Sequence, residues 1–176
     1  MLIVDWTPIT ESIIIPSFGR ELTDHLEDKN GTVKKVSCSA WNLLYMLLVN
    51  NGYRPGVVAF TETGKPYFKD SDICFSISHS KTVCAAAVSD HPVGVDVEVI
   101  KKTYSLHLIE RSLAESEKNS FDGDFTRLWC RKEAVAKMTG EGITGYPSHI
   151  DTIGYEFLEQ QIEYDGLNYW LVAVSS

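Results

Sequence analysis

The chain has 176 residues, 44% hydrophobic and 23% charged, with a formal net charge of −8. That size and balance suit one soluble domain or two small lobes, and so acidic a chain argues against non-specific nucleic-acid binding, which needs a basic face, while leaving room for a local basic pocket for a phosphorylated ligand. No apolar run approaches the roughly 20 residues of a membrane span, and no basic start leads into an apolar leader, so a cytoplasmic protein with no membrane partner is expected.

Leu2–Trp6 reads as a short strand, and Ile13–Ile15 as an apolar run stopped by Pro16. The polar stretch Arg20–Lys29 is compatible with a helix, and Asn30-Gly31 signals a turn. Ser37–Val49 sets Trp41, Leu44, Tyr45 and Leu48 at helical spacing, which predicts a helix ending at Asn51-Gly52. Val57–Phe60 and Pro66–Phe68 flank Thr61–Lys65 as a hairpin around Gly64. Ile73–Ser78 and Val83–Val88 read as strands split by His79-Ser80-Lys81. Val93–Val99 alternates, with Val93, Val95, Val97 and Val99 on one face and Gly94, Asp96 and Glu98 on the other, which is expected to face solvent. Leu106–Leu113 and Asp124–Met138 read as helices, the second closed by Thr139-Gly140. Ile153–Tyr164 and Leu167–Val174 bracket the hairpin signal Asp165-Gly166. Helices and strands without regular βαβ alternation give an α+β class. Cys38, Cys74, Cys84 and Cys130 form no C-x-x-C pair and are expected as small, mostly buried thiols without disulfide, zinc or catalytic role.

Three stretches carry chemistry. In Gly94-Val95-Asp96-Val97-Glu98, two carboxylates two apart on a strand point to the same side, where water or a cation must offset their repulsion. Mg²⁺ is the natural cation, because it takes hard oxygen ligands and shares them with substrate phosphates. In Trp129-Cys130-Arg131-Lys132-Glu133-Ala134-Val135-Ala136-Lys137, Glu133 and Lys137 share a helical face, as a surface ion pair or as a third metal carboxylate beside a cation for phosphate. In Phe75-Ser76-Ile77-Ser78-His79-Ser80, a histidine between serines at a strand end is either structural or a donor to an anion.

Taken in this order and spacing, the three stretches resemble the 4′-phosphopantetheinyl transferase superfamily, over about residues 34–143. The chain looks closest to the branch of the surfactin-synthetase activator, in which Gly-Lys-Pro precedes the serine-histidine-serine stretch, as Gly64-Lys65-Pro66 does here. The resemblance implies a monomer of two similar α+β lobes related by a pseudo-twofold. A long helix with strands in each half agrees, and places the lobes at residues 1–92 and 93–176 with the site in the cleft between them. It implies transfer of the phosphopantetheine arm of coenzyme A to a serine of an apo acyl or peptidyl carrier protein, dependent on Mg²⁺, with release of adenosine 3′,5′-bisphosphate. The alternative is a relative that binds coenzyme A or a carrier protein without catalysis. Residue by residue, Asp96, Glu98 and Glu133 match the family's magnesium carboxylates. His79 and Lys137 match the holders of the coenzyme A phosphates, and Lys65 a lysine near the adenosine 3′-phosphate. Lys34 and Lys35 stand loosely where the family has bases for that phosphate. Glu117 matches a glutamate near the metal. Glu133 is the first candidate base and Glu117 the second. Arg127, Arg131 and Lys132, or Leu106, Leu108 and Ile109, could meet the carrier, or serve as solvated face and core.

Overall fold

The computed structural model describes all 176 residues. In chain order the elements are β1 (Leu2–Pro8), α1 (Arg20–Glu27), α2 (Gly31–Asn50), β2 (Val58–Phe60), β3 (Pro66–Phe68), β4 (Cys74–Ser80), β5 (Val83–Ser89), β6 (Val93–Val99), α3 (Leu106–Ser112), α4 (Phe125–Thr139), β7 (Phe157–Tyr164) and β8 (Leu167–Ser175). Two three-stranded antiparallel sheets, ordered β1-β5-β4 and β6-β8-β7, accompany the small β2-β3 hairpin. This mixture bears out the α+β reading.

Each three-stranded sheet has its last strand in the middle and a long helix between its first two strands. Apolar alternation explains how the layers stack. Cys84, Ala86 and Val88 of β5 face a core built with Leu44, Leu48 and Trp41 of α2. The opposite face of β5, Val83, Ala85 and Ala87, joins Val93, Val95, Val97 and Val99 of β6 and Tyr169 and Leu171 of β8 in a second core. A third core packs Ala134 and Met138 of α4 on Val172 and Val174 of β8. With both faces covered, β5 is buried throughout and apolar from Val83 to Val88.

The glycine of the acidic strand is set by close packing. A Cβ at Gly94 would overlap the Ala134 carbonyl oxygen and come within 2.8 Å of the Met138 amide nitrogen. Helix α4 therefore lies directly on β6, supported at its start by Asp124, whose carboxylate accepts from the Arg127 amide at 3.0 Å and the Trp170 indole at 2.7 Å.

Several elements differ from their sequence expectation. The long helix begins at Gly31 rather than Ser37, its first turn exposed and therefore lacking the apolar periodicity that marks the rest. β4 runs through His79 to Ser80, with the turn at Lys81, so His79 belongs to the strand rather than to a break between strands. β7 begins only at Phe157. The polar face of β6 is largely covered rather than open to solvent: α4 lies on it, Asp96 is 4% exposed, and only Glu98 stays half-buried. All four cysteines are free thiols. No helix is long and apolar enough to cross a membrane.

Candidate active site

β4 and β6 belong to different sheets, yet a ladder of side-chain hydrogen bonds joins them. Ser76, Ser78 and Ser80 alternate onto one side of β4, and their hydroxyls accept from the amides of Val95, Val97 and Val99 at 3.1, 3.4 and 3.2 Å. Two of the serines also hold the acidic pair. Ser78 donates to Asp96 at 2.7 Å, and Ser80 donates to Glu98 at 2.9 Å. Read from sequence, these serines merely flank His79; in the fold they join the two sheets and orient the carboxylates.

Helix α4 adds the remaining charges. Lys137 donates to Asp96 at 2.7 Å, to the Ser78 hydroxyl at 2.9 Å and to the Val95 carbonyl oxygen at 3.0 Å. Asp96, Glu98, Glu133, Lys137, His79 and Ser78 line one pocket of about 450 Å³. A second pocket of about 290 Å³ shares Pro66, Ile77 and Lys137 with the first and extends past Lys65 and Gly64 to Gly140, Glu141 and Gly142. The ammonium of Lys65 donates to the Met138 carbonyl oxygen at 2.9 Å, at the end of α4.

The electrostatics are those of a partly dry recess with too much negative charge. Burial, and next the charge of Asp96, raise Glu133 above the ordinary carboxylate value, while Lys137 opposes them. Burial also raises Glu98, opposed by the Ser80 hydrogen bond and reinforced by Asp96. His79 lies below the ordinary histidine value, first through loss of water and then through Lys137. Burial lowers Lys65.

The donor set fits a hard divalent cation. Asp96 Oδ2 is buried without a hydrogen-bond partner, an orphaned acceptor that a cation would satisfy. The carboxylates share the pocket without closing on one another, and no three acidic, histidine or cysteine side chains form a finished cage. That is compatible with Mg²⁺, which commonly takes one or two carboxylates and completes its shell with water and phosphate oxygens.

Other expected residues fall elsewhere. Glu117 does not line this pocket. It is 2% exposed and pairs with Lys132 at 2.6 Å, while accepting from the amides of Ala114 and Thr152 and from the Thr152 hydroxyl. Burial alone would raise Glu117, but Lys132 and these donors hold it below the ordinary carboxylate value. Its oxygens are thus taken up by the chain's own donors, away from the pocket of Asp96 and Glu133. Lys132, 0% exposed, is unavailable to a partner. Arg131 is clamped by Glu159 at 2.6 and 2.9 Å, and Arg127 pairs with Asp122, so these bases are not a free docking patch. Lys34 and Lys35 line neither pocket: Lys34 turns to the Glu27 carbonyl oxygen at 3.5 Å, and Lys35 pairs with Glu11. Lys29 and His25 line the larger pocket instead, with Ser37 and Phe60. No motif marks them; the lysine ending the polar stretch Arg20–Lys29 was the available signal.

Comparison with known proteins agrees with the motifs. Residues 92–166 match the sequence profile of the 4′-phosphopantetheinyl transferase superfamily, a segment that includes Asp96, Glu98, Glu133 and Lys137. The resemblance is thereby borne out over that segment. Among individual relatives, the 4′-phosphopantetheinyl transferase gsp of Aneurinibacillus migulanus is 39% identical over 90 residues, 47% of this chain and 37% of the relative. HetI of Nostoc, also a 4′-phosphopantetheinyl transferase, is 32% identical over 111 residues, 52% of this chain and 46% of its own. The 4′-phosphopantetheinyl transferase psf-1 of Bacillus pumilus is 36% identical over 90 residues, 46% and 38% of the two chains. The matches thus span less than half the length of these relatives.

Proposed function

We propose that this protein is a Mg²⁺-dependent 4′-phosphopantetheinyl transferase, which moves the phosphopantetheine arm of coenzyme A to a serine of an apo acyl or peptidyl carrier protein. The observation that carries the reading is the convergence of His79 from one sheet, Asp96 and Glu98 from the other, and Glu133 and Lys137 from α4 on a single pocket. The repeated strand order supports two similar lobes meeting near Pro92, with the pocket at their junction, and in this reading the protein acts as a monomer.

In this reading the larger pocket takes the phosphates and the smaller one, with Lys65 and the glycine turn after α4, takes the nucleotide end. Asp96, Glu98 and Glu133 would hold Mg²⁺, which when bound neutralises charge on the phosphates and the leaving group. Lys137, already fixed by three acceptors, supplies a positive charge that needs no rearrangement. His79 donates to the same anion once protonated. The carrier serine forms a new oxygen–phosphorus bond as the bond to adenosine 3′,5′-bisphosphate breaks. Glu133, on α4 and lining the phosphate pocket, accepts the serine proton.

The test is to incubate the protein with coenzyme A, Mg²⁺ and a panel of apo carrier proteins, and to weigh each carrier by mass spectrometry. At least one carrier should gain the phosphopantetheine mass, and chelation should prevent it. Calorimetric binding of coenzyme A with no gain on any carrier would replace this reading by the non-catalytic alternative.

A further inference from the structure

We infer that Ser80 is a positioning residue, which aims the carboxylate of Glu98 at the metal that the proposed function requires. The inference rests on that reading of the pocket and extends it to a residue that does not itself touch the metal.

The argument is one of hydrogen-bond capacity. A serine hydroxyl has one proton to donate and two lone pairs to accept with. The Val99 amide donates to the Ser80 oxygen at 3.2 Å, so that contact uses a lone pair and leaves the proton free. An ionised carboxylate can only accept, so the 2.9 Å contact to Glu98 Oε2 must carry the Ser80 proton. The amide of β6 thus fixes the oxygen, and the oxygen fixes the glutamate on the neighbouring residue of the same strand. Glu98 needs such a tether. It is only partly buried, repelled by Asp96 and attracted by Lys101, and its long side chain has several rotamers. Ser78 shows the same arrangement saturated: it accepts from Val97 and Lys137 and donates to Asp96.

Ser76 supplies an internal control. It accepts from the Val95 amide at 3.1 Å, as the other two serines do from theirs. The equivalent neighbour on β6 is Gly94, which has no side chain to hold. Ser76 therefore has the ladder role without the carboxylate role, and comparing it with Ser80 separates the two.

The experiment titrates Mn²⁺ into the full chain without coenzyme A, reading free Mn²⁺ by electron paramagnetic resonance, with thermal denaturation run in parallel. Removing the hydrogen-bond partner of a metal ligand commonly costs about 10- to 100-fold in affinity. Ser80→Ala should weaken Mn²⁺ binding by about tenfold, the low end of that range. Ser76→Ala should lose similar thermal stability but bind Mn²⁺ like the unaltered protein. Ser80→Thr, which keeps the hydroxyl, should restore the affinity. Ser80→Cys fills the same space with a weak donor and should show the loss even if Ser80→Ala does not fold. Unchanged Mn²⁺ affinity in Ser80→Ala or Ser80→Cys, with tight binding by the unaltered protein, overturns the positioning role and leaves the metal site standing. Equal losses in Ser76→Ala and Ser80→Ala reduce Ser80 to a ladder rung. No Mn²⁺ binding by the unaltered protein removes the metal reading and this inference together.

Discussion

Gly94→Ala tests whether the approach of α4 to β6 builds the site. The new methyl would overlap the Ala134 carbonyl oxygen and stand 2.8 Å from the Ala134 carbonyl carbon and the Met138 nitrogen, all backbone atoms that no rotamer change can move. Relieving the overlap with the Ala134 oxygen, to an ordinary contact of roughly 3.3 Å, requires the helix to retreat by about 1.5 Å. Overpacking of this kind typically costs roughly 1–3 kcal/mol. The helix would carry Glu133 and Lys137 with it, stretching the 2.7 Å contact between Lys137 and Asp96. A misplacement on the order of 1 Å at a reacting site can cost about a hundredfold in rate. Urea denaturation should show a lower midpoint with an unchanged slope, and transfer to an apo carrier should fall by one to two orders of magnitude under conditions where the variant remains folded. A variant with the original midpoint and the original rate would refute the reasoning, because the close approach would then be constraining neither the fold nor the site.

Lys137→Ala removes three hydrogen bonds and should lower transfer about ten- to a hundredfold, since a charge-assisted contact is worth roughly 1.5–3 kcal/mol; extra Mg²⁺ that restores the full rate would contradict a role toward phosphate. Glu133→Gln should abolish transfer yet stabilise the metal-free protein at neutral pH. Its folded-state value is raised, so the native carboxylate favours folding only at acid pH and loses that contribution as pH rises through the raised value; melting curves at pH 4 and pH 8 would expose an absent or reversed difference. Glu117→Gln strips the counter-charge from fully buried Lys132 and should destabilise by about 3–5 kcal/mol, whereas Glu117→Leu with Lys132→Met should cost much less; equal losses in a denaturant series would argue against an ion pair held by burial. The free His79 is lowered, and a bound phosphate favours its charged form, so affinity for adenosine 3′,5′-bisphosphate should rise as pH falls from 8 toward 6 and level off below the free value; calorimetry should find that slope flattened in His79→Gln.

The strands and helices of the second half were legible because their signals are local: alternating valines for β6, a Gly140 stop for α4, and Asp165-Gly166 for the last hairpin. The candidate site residues Asp96, Glu98, Glu133, His79 and Lys137 were legible as an ordered set of short motifs, and they meet in one pocket. The partners of Glu117 were not legible. Thr152 lies 35 positions along the chain from it, and no periodicity announces such a pairing. Lys29 was missed for a related reason: it reaches the pocket because α1 and α2 fold back on the first sheet, not because its neighbours form a motif.

The acidic strand shows why alternation alone misled about Asp96. A period of two establishes that a strand has two unlike faces, but says nothing of what covers either one. On β6 the valine face meets the second core, while the other face meets α4, the Ser78 and Ser80 hydroxyls and Lys137. A charge placed there is expensive unless paired, and here it is only partly paired: Asp96 keeps an unpartnered buried oxygen. Glycine at 94 draws α4 close enough for Lys137 to reach Asp96, and serines on β4 supply donors that a backbone ladder would not aim at side chains. The requirement for glycine, two carboxylates, alternating serines and an Asp96-facing lysine is thus one requirement seen from three elements. That common cause explains why three motifs, each weak alone, carry weight together: in this fold each of them is needed to build the same charged recess.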